Sequence, residues 1–138
     1  LHIACQYGNL NLVKFLIKKG MSVEERNEKG DTLLHIAYKY KRGNNNLLDY
    51  LIKNGVEVNQ ENGDGETLLS LAYKNKDKKM ISYLVKNGAD IEKEDHGGRT
   101  LLHDACENGN LELIKMLLIN RADINKKDQG GRTPLFIA

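Results

Sequence analysis

Two short pairs of residues have the types and the spacing to do chemistry. His2 and Cys5, and again His103 and Cys106, stand three positions apart, which on a helix brings both side chains to one face. An imidazole and a thiolate so placed suit a metal ion, but a structural zinc takes four ligands and two make no site. The neighbours His103 and Asp104 suggest acid–base work. No nucleophile with a partner, Gly-rich phosphate loop or paired-carboxylate arrangement accompanies them. The sequence therefore assigns no catalytic residue, no metal and no cofactor.

The elements that position these pairs repeat along the chain. The stretch Gly98 to Asp128 recurs in shifted copies, and internal repeats at a period of tens of residues override any element-by-element reading. Aligned on the leucine before the histidine, the copies start at Leu1, Leu34, Leu69, Leu102 and Leu135, with spacings of 33, 35, 33 and 33 residues. Thr32, Thr67, Thr100 and Thr133 keep the same beat. So do Ala4, Ala37, Ala72, Ala105 and Ala138, and Gly20, Gly55 and Gly88. Each copy reads as two short helices and a connection. Helices this short are marginal alone, because isolated helices below about 12–15 residues hardly form in water, so neighbouring copies must stabilise them.

Particular residues mark the ends of the elements. Thr32 stands where a helix N-cap is needed. Gly8 and Gly20 stand where a chain leaving a helix needs a left-handed residue. Lys76 replaces the glycine found at Gly8 and Gly109, and Arg121 replaces the terminal glycine of its copy. A left-handed conformation costs a residue with a Cβ about 1 kcal/mol or more, so Lys76 strains or reshapes its turn. Pro134 follows Thr133 at a first helical position, where its missing N–H is harmless. Gly pairs and Asp-Gly place turn tips around Lys29–Gly30, Asp64–Gly65, Gly97–Gly98 and Gly130–Gly131. Val23, Val58, Ile91 and Ile124 offer one apolar anchor per connection. The second copy is longer by two residues within Tyr38–Asn45, a polar, basic run read as an enlarged surface loop or as a contact for an acidic partner. The lysines 74, 76, 78, 79 and 86 read as a solvated face.

Composition agrees. With 138 residues, a net charge of +2 and 40% apolar residues, the chain can bury a continuous core and lacks the basic excess of a dedicated nucleic-acid binder. No run approaches the roughly 18 apolar residues of a membrane span, and no signal peptide is visible. Cys5 and Cys106 lie three copies apart. Packed helices are about 8–10 Å apart, well beyond the ~7 Å limit for a disulfide, so both are read as free thiols of a reducing compartment, the cytoplasm or nucleus.

With Thr100-Leu-Leu-His103, Gly109-Asn110-Leu111, Gly88-Ala-Asp-Ile91, Ala122-Asp-Ile-Asn125 and Thr133-Pro134-Leu135 in register, the chain resembles the ankyrin repeat family. Departures are Leu33, Leu68 and Leu101 where the family has Pro, Ser70 and Phe136 at the His position, Lys76, and Arg121. The resemblance implies an all-α solenoid of stacked helix–turn–helix units with projecting hairpin-like turns. Its repeats run over about 1–26 (partial), 27–61, 62–94, 95–127 and 128–138 (partial), a piece of a longer array. It also implies that the repeated histidine is a structural hydrogen-bonding residue. Asn59 and Asn125 resemble turn asparagines that asparaginyl hydroxylases modify, against a purely turn-stabilising role. Asp104, where other copies have Ile or Leu, is read as a local hydrogen-bonding residue or as a polar notch in a groove.

The function implied is a non-enzymatic module that binds a protein partner through the groove of turn tips and first helices. No nucleic acid, membrane or small-molecule ligand is expected, and the chain is expected to be monomeric. Mapping the family's contact surface gives Glu28, Lys29, Asp31, Lys39 and Tyr40 in the second repeat, and Asp64, Glu66, Lys74 and Asn75 in the third. It gives His96, Arg99, Glu107 and Asn108 in the fourth, and Gln129 and Arg132 beyond. Tyr40 is the aromatic anchor of that stripe, since interface hot spots favour Tyr and Arg. The alternative is a substrate-recruiting or architectural segment of a larger enzyme, ubiquitin ligase adaptor or channel.

Overall fold

A computed structural model describes residues 1–40 and 45–138. Most of the insertion in the second repeat falls at 41–44 and lies outside the described residues. Among the described residues all regular structure is helical: α1 (His2–Gln6), α2 (Leu10–Lys18), α3 (Leu33–Tyr40), α4 (Asn45–Lys53), α5 (Leu68–Lys74), α6 (Lys78–Lys86), α7 (Leu101–Glu107), α8 (Leu111–Ile119) and α9 (Pro134–Ile137). The chain divides into two units, Leu1–Met80 and Ile81–Ala138.

In the first unit α1 packs on both α2 and α3, and α3 packs on α4. The buried residues are those that recur in the pattern: Ala4, Val13, Leu34, Ala37, Leu48, Leu51, Leu69 and Ala72. In the second unit α7 packs on α8 and α9, burying Leu102, Ala105, Leu113 and Leu117. Within each unit the pairs α1/α2, α3/α4 and α7/α8 hide apolar residues against neighbours in sequence, as repeat architectures do.

Short helices persist here because their ends are satisfied. Asn9 caps α2 by accepting from Leu12 N–H at 3.0 Å, and Asn110 caps α8 through Leu113 N–H. Thr67 and Thr133 cap α5 and α9, and Asp77 accepts from Met80 N–H in the first turn of α6. At the other end Asn54, Asn87 and Asn120, one per repeat, donate to carbonyls a turn earlier. Lys76 and Arg121 take the left-handed conformation of the glycines they replace, with φ of 55° and 67°.

The connections are anchored differently from expectation. Val23, Val58 and Ile91 are half-buried, and Ile124 is exposed. Val56 and Ala89, each directly after the terminal glycine, are buried, because the chain turns back on the second helix at that point: Val56 N–H donates to Leu51 O and Ala89 N–H to Leu84 O.

Candidate functional site

Each turn is organised by one Asn or Asp. The side chains of Asn27, Asn62, Asp95 and Asp128 each accept from the backbone N–H groups two and four residues on. Their own N–H groups donate to the carbonyl four residues on. Successive turns then join through the backbone, Gly63 N–H to Lys29 O in the first unit and Gln129 N–H to Gly97 O in the second. A Cβ on Gly63 would collide with the Lys29 carbonyl oxygen, so that junction needs glycine for space.

A buried histidine bolts helix to turn. His35 Nδ1 meets the Thr32 hydroxyl at 2.8 Å and its Nε2 meets the Glu66 carbonyl at 3.0 Å. His103 repeats this with Thr100 and the Arg132 carbonyl, at 3.0 and 3.1 Å. A carbonyl only accepts, so Nε2 carries the proton in both. His2, in the first repeat, has its Nε2 buried without a hydrogen-bond partner. His103 is thus a structural residue, and Asp104 turns away from it to bond Arg99, so no acid–base pair forms. Among the described residues no group of His, Cys, Asp and Glu is arranged to hold a metal. Cys5 and Cys106 are free thiols; burial pushes the Cys5 thiol up to about 11.

Above the bolt sits an ion pair that joins each turn to its first helix across eight residues. Asp31 pairs with Lys39 at 2.7 Å, Glu66 with Lys74 at 2.5 Å, and Arg99 with Glu107 at 2.6 Å. Within each pair one member is sunk and the other faces water. The lysines are the outer partners in the first unit, with side-chain exposures of 32% against 4% for Asp31 and 64% against 19% for Glu66. In the second unit the order is reversed: Glu107 is 54% exposed and Arg99 18%. Burial alone would raise the Asp31 pKa, but hydrogen bonds from Lys39, Asn27 and Asn62 outweigh it and hold the carboxyl below its usual range. The Lys74 hydrogen bond does the same for Glu66. Asp104 goes the other way, raised by burial that Arg99 only partly offsets.

The fifteen residues nominated from sequence therefore separate by what they touch. Glu28, Lys29, Tyr40, Asp64 and His96 present exposed side chains. Asp31, Lys39, Glu66, Lys74, Arg99 and Glu107 form the three braces, Asp31 being buried. Arg132 pairs with Asp128 at 2.8 Å, Gln129 donates to the His96 carbonyl, and Asn75 and Asn108 donate to carbonyls of their own helices. Asn59 and Asn125 are exposed. Sequence reasoning missed Tyr7, which is 70% exposed and holds in the first repeat the position that Tyr40, 57% exposed, holds in the second. Their offset of 33 residues was the available signal.

Helix pairs packed on their sequence neighbours, a histidine bolt in each unit and an organised turn in each connection define a repeat protein of the ankyrin class. Residues 1–62 and 39–128 match the family described as "Ankyrin repeats (3 copies)", and the chain belongs to that family, whose members are generally non-enzymatic protein-interaction modules. It is also similar to the Transient receptor potential cation channel subfamily A member 1 homolog of Caenorhabditis elegans, with 50% identity over 40 residues. That match covers 29% of this chain and 3% of the relative. No helix among the described residues is long and apolar enough to cross a membrane.

Proposed function

We propose that the chain is a non-enzymatic module that binds a protein partner through its turn tips and the outward edges of its first helices. The observation that carries this is the division of labour within each repeat. Capping threonines, turn organisers and core residues keep their chemistry from copy to copy, while neighbouring surface positions change freely: Tyr7, Tyr40, Asn75 and Asn108 at one, Gln6, Lys39, Lys74 and Glu107 at the next. Variation at exposed positions leaves the fold intact and alters what the surface recognises. We read the module as a cytoplasmic or nuclear monomer with no nucleic-acid, membrane or small-molecule ligand.

The test is capture of partners by proximity labelling, repeated with Glu28, Lys29, Tyr40, Asp64 and His96 replaced by alanine. Loss of the captured protein with an unchanged melt supports the reading. Capture that survives all five replacements contradicts the surface assignment. A second reading, that the chain is the recruiting or architectural segment of a larger protein, draws on its match to a small part of a cation channel homolog. The flanking coding sequence decides it.

A further inference from the structure

We infer that the first unit is built to take an extended acidic peptide whose apolar and acidic side chains each recur every third residue. This rests on the interaction-module reading and names its ligand.

Two parallel rows of side chains carry the argument. The inner row is Gln6, Lys39 and Lys74; the outer, one residue later, is Tyr7, Tyr40 and Asn75. α1 and α3 pack together, so Tyr7, directly after α1, and Tyr40, at the end of α3, hold equivalent places in adjacent repeats. Both rings are mostly in water, and an exposed tyrosine offers a large contact area with little rotamer entropy to lose. The lysines are the solvent-side members of their ion pairs, with Asp31 and Glu66 sunk beneath them. An approaching ligand therefore meets ammonium groups first. Each ammonium spends one donor on its brace and keeps others for a ligand, since lysine carries three.

Spacing then fixes the ligand's register. Packed helices lie about 8–10 Å apart, and a peptide extended as polyproline II advances about 3.1 Å per residue and turns once in three, so every third side chain faces the same way. One repeat is therefore matched by about three residues. A peptide crossing the repeats sets an apolar side chain on each tyrosine and a carboxylate at each lysine only if both recur with that period. An alternating period of two carries every second side chain off the row.

The experiment uses fluorescein-labelled peptides of about twelve residues, Leu-Glu-Ser repeated, with the same composition scrambled, and with Lys in place of Glu. Fluorescence anisotropy with the full chain should show the periodic peptide binding about tenfold tighter than the scrambled one and the lysine peptide not binding. Tyr7→Ala and Tyr40→Ala should each weaken the periodic peptide about fivefold with the melt unchanged, as expected for truncating an exposed anchor. Equal affinity for periodic and scrambled peptides, or tyrosine variants that bind like the parent, would overturn the inference. Either result leaves the interaction-module reading to stand or fall on the labelling experiment. Conversely, a bound periodic peptide with no captured protein would count against that reading alone.

Discussion

The two units use the same bolt and opposite braces. His35 and His103 make the same pair of hydrogen bonds, one to a threonine of their own repeat and one to a carbonyl of the next turn. The ion pairs one level up have their signs exchanged: acid on the turn and base on the helix in the first unit, base on the turn and acid on the helix in the second. In both units the buried, directional bonds of the histidine take the same arrangement, because an unsatisfied polar group inside costs about 1–3 kcal/mol. The half-exposed pair admits either polarity, because water and salt level the difference to about 1 kcal/mol or less. What the polarity does change is the charge turned outward, positive at Lys39 and Lys74, negative at Glu107.

The largest effects should come from the shared feature. His35→Ala and His103→Ala each remove two buried hydrogen bonds, to a threonine hydroxyl and to a turn carbonyl, and leave a cavity, so urea unfolding should show losses of about 2–3 kcal/mol in both. A loss in one unit and none in the other would break the equivalence. Next in size is the brace of the second unit. Arg99→Glu places a carboxylate beside Asp104 and Glu107 and should cost about 1 kcal/mol, while Arg99→Lys should cost less. Lys76→Gly in the first unit and Arg121→Gly in the second should each gain about 1 kcal/mol, since each relieves a left-handed residue with a Cβ.

The smallest effect is a pH dependence that differs between the units. Burial lowers the His35 pKa, and the bond to the Glu66 carbonyl offsets this in part. The unfolded chain therefore takes the proton first, and stability is lost as pH falls from about 6.5 toward the folded value. Asp31 and Glu66, held low in the folded state, add stability above the ordinary carboxylate range that is lost as pH falls through it. Asp104, raised in the folded state, has the opposite sign, and its penalty is relieved on acidification. Residue-resolved urea titrations by NMR at pH 7 and 5 should find the first unit weakened more than the second. Equal weakening would contradict the assignment.

Much of this architecture was legible in the sequence because its determinants are periodic and chemically narrow. Thr at a helix start and glycine after a helix have few substitutes, and even where Lys76 and Arg121 replace glycine the backbone keeps its left-handed turn. The turn organiser is hidden because it is Asn in the first unit and Asp in the second, two types that accept the same two hydrogen bonds. The braces were hidden for a related reason. Read one copy at a time, Asp31, Glu66 and Arg99 look like free surface charges; their pairing eight residues on shows only when sign is ignored and complementarity is compared across copies. Ile124 carried the pattern of an anchor yet is exposed, while the burial went to residues such as Val56, beside the terminal glycine where the chain doubles back.

The most direct measurement inverts one brace without removing it. Glu66→Lys and Lys74→Glu should each lower the melting temperature, and the double variant should recover most of that loss, since repeats of both polarity already exist in the chain. With the outward charge of that repeat now negative, the double variant should lose affinity for the acidic periodic peptide. A double variant no more stable than either single one, or one that binds the acidic peptide as the parent does, would contradict the account.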